Sequence, residues 1–208
     1  MLAAKVIDFP VEKQPTTGGA AWGFATDHVE HWAYANSVFT PEECAQIIAI
    51  GESREFKKGN VGDKSKLAET RDSTIAWLHP NAETEWVFRR VTDAVMGINN
   101  QYFKFDLFGM TEGFQFTKYD APSGFYGMHV DKMLNGVVRK LSITIQLSAP
   151  ENYEGGELAL QFTKDPVVMA KEQGKLFAFP SYVLHEVRPI TKGTRYSLVA
   201  WITGTPFK

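Results

Sequence analysis

The sequence predicts a mainly β fold, a sandwich or barrel, with its helices confined to the N-terminal half. Three observations carry that expectation. From Phe103 onward, apolar residues recur at every second position in short runs separated by turn residues. Ahead of them lie two segments with helical periodicity. Finally, His129 and Asp131 stand two apart, and a second histidine, His185, follows only after several candidate strands. Two histidines and a carboxylate suit a metal site with open positions, and bringing His185 back to the pair requires a folded β structure. The specific form that this spacing selects is a double-stranded β-helix, a jelly-roll, cupin-like core supported by N-terminal α-helices.

Residues 1–30 read as an N-terminal extension, with Lys5–Phe9 as an edge strand and Gln14–Gly19 as a turn. His28 and His31 have no ligand partner at useful spacing and read as surface residues. The remainder, 31–208, is expected to form a single domain, because 208 residues suffice for one substantial core. Thr40-Pro41-Glu42-Glu43 starts a helix twice over: Thr40 and Glu43 make a capping box and Pro41 occupies the first helical position. This helix runs to about Gly51. Residues 54–69 are charged and glycine-containing, and read as a solvated loop or as a lid over the site. Asp72–Leu78 is a strand. From Asn81 to about Gln101 a second helix presents Val87, Val91, Ala94, Val95 and Ile98 along one face, a core stripe rather than a cofactor box. The later strands are Phe103–Phe108, Gly113–Tyr119, Gly127–Asp131, Val138–Leu147, Glu157–Phe162, Lys175–Phe179, His185–Ile190 and Tyr196–Thr203.

The chemistry concentrates in Tyr126-Gly-Met-His129-Val-Asp131 and in Leu184-His185-Glu-Val187. Strand side chains alternate, so His129 and Asp131 point the same way. Past His185, Pro189 and Gly193 punctuate a strand–turn–strand that is expected to return Arg195 along the strand next to His185. Ser197, Val199 and Trp201 follow on the same inner face. A buried arginine needs an anion, and its planar fork suits a carboxylate. A dicarboxylate chelating the metal at one end and meeting Arg195 at the other satisfies both demands, and 2-oxoglutarate is such a molecule. Thr144 and Gln146, on the polar face of their strand, are expected to face its tail. Tyr119, whose hydroxyl needs a partner if buried, shares its face with Gln115 and Thr117.

These residues resemble the iron(II)/2-oxoglutarate dioxygenases of the prolyl 4-hydroxylase type, over roughly residues 32–204. The resemblance rests on His129-x-Asp131, on His185-Glu-Val-x-Pro189 with its Arg195-Tyr-Ser arm and closing Trp201, and on Tyr119, ten before His129. It extends to Gly155-Gly156, and to Arg71 and Trp77 in Thr-Arg-Asp-Ser-Thr-Ile-Ala-Trp. It implies an Fe(II) site on His129, Asp131 and His185, with O2 as co-reactant, ascorbate as reductant and no catalytic group beyond the metal ligands. Tyr119 then bonds the 2-oxoglutarate carboxylate, as in the oxygen-sensing members. Arg71 and Trp77 fall on the substrate side, with Tyr126 against a proline ring and Arg71 on peptide carbonyls. Animal collagen-type enzymes carry Lys where this chain has Arg195, so the likeness leans to the oxygen-sensing and short microbial or viral members.

The implied substrate is a protein or peptide containing proline. The same chemistry on a free amino acid or other small molecule is the alternative, and a non-catalytic cupin-like binding protein is the rival from another class. That rival has no use for Arg195 or Tyr119. Net charge is −2, which points to neither nucleic acid nor membrane as partner. The single cysteine, Cys44, shares an apolar helical face with Ile47 and Ile48 and excludes an internal disulfide, an expectation that fits the cytoplasm.

Overall fold

The computed structural model describes residues 29–59, 70–131 and 137–206. Two helices lie in its N-terminal half. Helix α1 spans Pro41–Glu52, and its capping box is complete: Thr40 Oγ1 accepts from Glu43 N at 3.2 Å, and Glu43 Oε2 accepts from Thr40 N at 2.9 Å. Helix α2 spans Glu85–Ile98, later than Asn81, because Asn81 forms a turn of its own and its Oδ1 accepts from the amides of Glu83 and Thr84. One turn of π-helix, Asn99–Phe103, prolongs α2.

The strands in chain order begin with β1 (Ala33–Ala35), β2 (Lys57–Lys58), β3 (Arg71–Asp72), β4 (Thr74–Leu78) and β5 (Leu107–Met110). There follow β6 (Phe114–Asp120), β7 (Phe125–His129), β8 (Arg139–Gln146), β9 (Tyr153–Gly155) and β10 (Leu158–Gln161). The last are β11 (Val167–Val168), β12 (Leu176–Pro180), β13 (Leu184–Val187) and β14 (Ile190–Gly204). They form two antiparallel sheets. The major sheet runs β1-β12-β8-β14-β6-β4-β2, with β5 and β9 also paired to β14, and the minor sheet runs β11-β10-β13-β7-β3. This is the jelly-roll, double-stranded β-helix arrangement expected for the chain.

Two apolar layers follow from the alternation within β14 and its neighbours. Leu198, Ala200 and Ile202, with Phe114, Phe116, Leu141, Ile143 and Ile145, meet Cys44, Ile47, Val87, Val91 and Val95 of the two helices. The helices therefore cover the outer face of the major sheet. Between the sheets lies a second cluster, including Tyr119, Tyr153, Leu160, Phe177, Phe179, Val187 and Ile190. The remaining inner face of the major sheet is polar, and there the site forms.

Several expectations need correction. Phe103–Phe108 is not a strand: the π turn carries helix to Phe103, Lys104 adopts φ 55°, and pairing starts at Leu107. Arg195 does not return beside His185. Strand β13 pairs with β10 and β7 in the minor sheet, whereas β14 pairs with β8 and β6 in the major one. Pro189 has no N–H for a ladder, and at Arg188-Pro189 the chain leaves one sheet for the other. Gly193 is no separating turn either; it lies within β14 at φ 73°, where a Cβ would sit 2.1 Å from Asn152 O. Of the loop expected at 54–69, residues 57–58 form β2 against β4, while residues 60–69 and residues 1–28, including Lys5–Phe9 and Gln14–Gly19, lie outside the described residues.

Candidate active site

The two sheets face each other across a cavity that collects side chains from both. The minor sheet contributes Arg71, Tyr126, His129, Leu158, His185 and Val187, and the major sheet Gln115, Tyr119, Thr144, Arg195, Ser197, Val199 and Trp201. Asp131 completes the lining from just beyond the end of β7.

His129 and His185 are direct cross-strand partners on β7 and β13, with ring centroids 4.1 Å apart. Each ring is oriented from behind by a carbonyl: His129 Nδ1 lies 2.8 Å from Gly127 O and His185 Nδ1 2.9 Å from Val183 O. A carbonyl only accepts, so both Nδ1 atoms carry the proton and both Nε2 lone pairs face inward. Asp131 sits between them, Oδ1 3.5 Å from His129 Nε2 and Oδ2 3.5 Å from His185 Nε2. These distances exceed a good hydrogen bond. They suit ligands sharing one ion at bond lengths of about 2 Å. The three donor atoms converge within 4.8 Å of one another.

Electrostatics agrees with that use. Burial works against ionising Asp131, yet the facing His185, then His129 and the Ser142 hydroxyl, outweigh it and hold the carboxyl well below the usual carboxylate range. Burial lowers the His185 pKa and favours the neutral ring that a metal requires. Ser142 Oγ donates to Asp131 Oδ2 at 2.7 Å, the Asp131 amide donates to Ser181 O at 3.0 Å, and Arg139 donates to Asp131 O at 3.2 Å. Asp131 is thus held at one carboxylate oxygen and at both of its backbone polar groups. Two histidines and one carboxylate, with the cavity open beside them, fit a non-haem iron(II) centre.

At the opposite wall Arg195 is 1% exposed. Its Nε and Nη2 donate to Gln146 Oε1 at 3.2 and 2.9 Å, and Nη1 reaches Ser197 Oγ at 3.4 Å. No carboxylate among the described residues pairs with it. Its guanidinium lies 5.4 Å from the Tyr119 ring centroid. Behind it, Gly156 at φ 67° leaves the space a Cβ would take, 3.1 Å from Arg195 Cδ. Tyr153, unremarked from sequence, has a buried hydroxyl with no hydrogen-bond partner; burial raises its pKa and the nearby Arg195 pulls against that. A buried cation held only by neutral groups, beside an orphaned hydroxyl, is a cradle fitted to a carboxylate.

The sequence-predicted residues divide as follows. His129, Asp131, His185, Arg195, Tyr119, Thr144, Ser197, Val199, Trp201, Tyr126 and Arg71 all line the cavity. Gln146 stands behind Arg195 and orients it rather than forming the wall. Trp77 is not part of the lining either: it lies opposite Gln115 in the β4–β6 register and its ring packs on Trp201 at 6.3 Å between centroids. Tyr126 stacks on His129 with centroids 3.5 Å apart, and Arg71 caps the other face of the arrangement, 4.4 Å from the Tyr126 ring. Sequence reasoning missed Ser142, Ser181, Tyr153, Leu158 and Val187. For Ser142 a signal existed, since it continues the polar face of Thr144 and Gln146.

Comparisons with known proteins bear on the same residues. The family model described as the 2OG-Fe(II) oxygenase superfamily matches residues 114–203. A PKHD-type hydroxylase of Gloeothece citriformis is 37% identical over 172 residues, covering 80% of this chain and 75% of that protein. One from Idiomarina loihiensis is 37% identical over 79 residues, and this match spans only 36% of that protein's length and 38% of this chain. Among solved structures, a prolyl hydroxylase of Trichoplax adhaerens, in complex with a hypoxia inducible factor oxygen degradation domain peptide, superposes with a TM-score of 0.70 at 18% identity, over 84% of each chain.

Proposed function

This chain belongs to the 2OG-Fe(II) oxygenase superfamily, among its PKHD-type, prolyl 4-hydroxylase-like members, and from that premise we propose that it hydroxylates a peptidyl proline. Iron(II), 2-oxoglutarate and O2 supply the oxidising chemistry, with succinate and carbon dioxide as co-products and ascorbate as the reductant that sustains turnover.

The protein's part is to bind, orient and exclude water. His129, Asp131 and His185 hold the metal, with Nε2 lone pairs preset by the carbonyls of Gly127 and Val183. Arg195 takes the distal carboxylate of 2-oxoglutarate, assisted by Tyr119 and with Thr144 along the wall; Gln146 and Ser197 keep the guanidinium aimed. Leu158, Val187, Val199 and Trp201 form apolar walls that keep the oxidation away from bulk water.

The observation that carries the proline reading is the place of Tyr126. Its ring lies between His129 and the Arg71 guanidinium and is half-buried at the cavity, so an apolar ring packed against its edge would lie beside the proposed metal ligands. Extended proline-containing peptides bind aromatic surfaces at low entropic cost. The prolyl hydroxylase of Trichoplax adhaerens, whose structure holds a peptide, supports the same class of substrate. No described helix is long and apolar enough to cross a membrane. Mass spectrometry of proline peptides incubated with protein, iron(II), 2-oxoglutarate and ascorbate tests the reading. A one-oxygen gain on proline is expected; succinate formation stimulated by a free amino acid but by no peptide would overturn it.

A further inference from the structure

The cavity holds a second buried arginine built like the first. Arg71 is 7% exposed. Its Nε donates to Ser73 Oγ at 2.7 Å and its Nη2 to Gln115 Oε1 at 2.9 Å. Arg195 is likewise pinned by one glutamine oxygen and one serine hydroxyl. In neither case does a carboxylate among the described residues pair with the cation. Elsewhere the chain does pair its half-buried guanidinium groups: Arg139 makes a two-pronged contact with Glu112. Among the described residues, the lack of a carboxylate partner is therefore specific to the two arginines of the cavity.

Arg71 is also closed off from the far side. A Cβ on Gly59 would sit 2.4 Å from Arg71 Nε and 2.7 Å from Ser73 Oγ, so only glycine lets that backbone lie over the guanidinium. Among the described residues, Arg71 opens onto the cavity, which it lines together with Gln115 and Tyr126. Its neutral partners orient the fork without spending its charge. Charge accounting points the same way. Iron(II) and the 2-oxoglutarate dianion cancel, Asp131 offsets one arginine, and one positive charge is left in the lining. Burying that charge without a counterion is costly.

We propose that Arg71 receives a carboxylate of the substrate, so that the molecule hydroxylated here is an anion. This rests on the oxygenase reading of the site and narrows its substrate: an acidic side chain next to the target proline, or a free α-carboxylate on it. A peptide carbonyl would satisfy the N–H groups of Arg71 but not its charge. Because Arg71 stacks on Tyr126, which stacks on His129, the carboxylate is held one ring away from the metal-binding residues.

The test compares matched probes on the full-length protein loaded with manganese(II) and 2-oxoglutarate without oxygen, read by calorimetric or tryptophan-fluorescence titration. The probes are N-acetylproline and its amide, an alanine-flanked proline peptide amide, the same peptide with glutamate beside proline, and free L-proline. At least one carboxylate probe should bind about tenfold or more tightly than its neutral match, as a charge-assisted bond predicts. In Arg71→Gln that ratio should fall to near one, and Arg71→Lys should restore part of it. Equal binding of acid and amide to the wild-type protein overturns the proposal whether or not the variants fold. A preference that survives Arg71→Gln overturns it too. The two readings fail separately: Arg71-dependent binding of L-proline without any peptide sinks the peptidyl substrate but keeps the anion, while a neutral peptide that binds as tightly as its glutamate match, with N-acetylproline and its amide also equal, keeps the peptide and sinks the anion.

Discussion

At His185, Ser142 and Arg195 the proposed function can be tested one side chain at a time. Replacing His185 with Ala removes an inward lone pair that no neighbour can replace, and is expected to abolish metal loading and turnover, as read by iron titration and succinate release. Full activity in that variant would refute the metal assignment. Ser142→Ala leaves one oxygen of a buried carboxylate without its hydroxyl donor. Weaker metal affinity by about 1–2 kcal/mol is the expected result, measured by competition with a chelator. For Arg195→Met the loss is larger, because the carboxylate of 2-oxoglutarate would stay buried without its counterion: about 2–5 kcal/mol in cosubstrate binding. An unchanged 2-oxoglutarate Michaelis constant would move that carboxylate elsewhere. Cys44 gives a prediction of another kind. Burial pushes its thiol up to about 12, so native protein at pH 8 should resist alkylation that proceeds readily once it is unfolded.

Among the elements, β14 does the most. It joins β8 and β6, presents Arg195, Ser197, Val199 and Trp201 to the cavity, and turns Leu198, Ala200 and Ile202 toward the helices. Its start is held against the Gly155-Gly156 turn. A methyl at Gly156 would fall 2.1 Å from Ile190 Cδ1 and 3.1 Å from Arg195 Cδ, at φ 67°. Gly156→Ala should therefore cost about 1–3 kcal/mol of stability and weaken 2-oxoglutarate binding with it. Denaturant unfolding and cosubstrate titration check the two effects; a variant as stable as wild type would show that the turn relaxes freely. By contrast, Thr40→Ala removes one cap far from the cavity and should lower stability by about 1 kcal/mol through α1 alone.

At the scale of the molecule, the site is a clasp between two sheets. The histidines belong to the minor sheet and Arg195 to the major one, and Asp131 lies where the chain passes between them. A metal on His129, Asp131 and His185 with a cosubstrate reaching from it to Arg195 would tie the two sheets together, so both should stabilise the whole fold by mass action. Saturation at a hundredfold excess over the dissociation constant corresponds to about 2.7 kcal/mol per ligand. Differential scanning fluorimetry should show manganese(II) raising the unfolding midpoint and 2-oxoglutarate raising it further. The second increment should vanish in Arg195→Met. An increment that persists there would mean that 2-oxoglutarate does not bridge the sheets through this residue.

Local chemistry was legible in the sequence wherever the cause is local. The Thr40 capping box, the apolar stripe of α2, most of the period-two strands and the histidine–aspartate spacing each follow from a few neighbouring residues, and the structure has them, the Phe103–Phe108 run excepted. So does the inner-facing series from Arg195 to Trp201, since alternation along a strand is strict. What the sequence left open depends on pairing across the chain. Pro189 could end a strand in a hairpin or at a change of sheet, and only the register of β13 with β7 and of β14 with β8 decides for the latter. Trp77 alternates into the cavity side, yet Trp201 covers it. The matching cradles of Arg71 and Arg195 were equally invisible, because each joins residues from distant strands. Long-range register, not residue type, determines which polar groups meet and which buried charges are left for a ligand to neutralise.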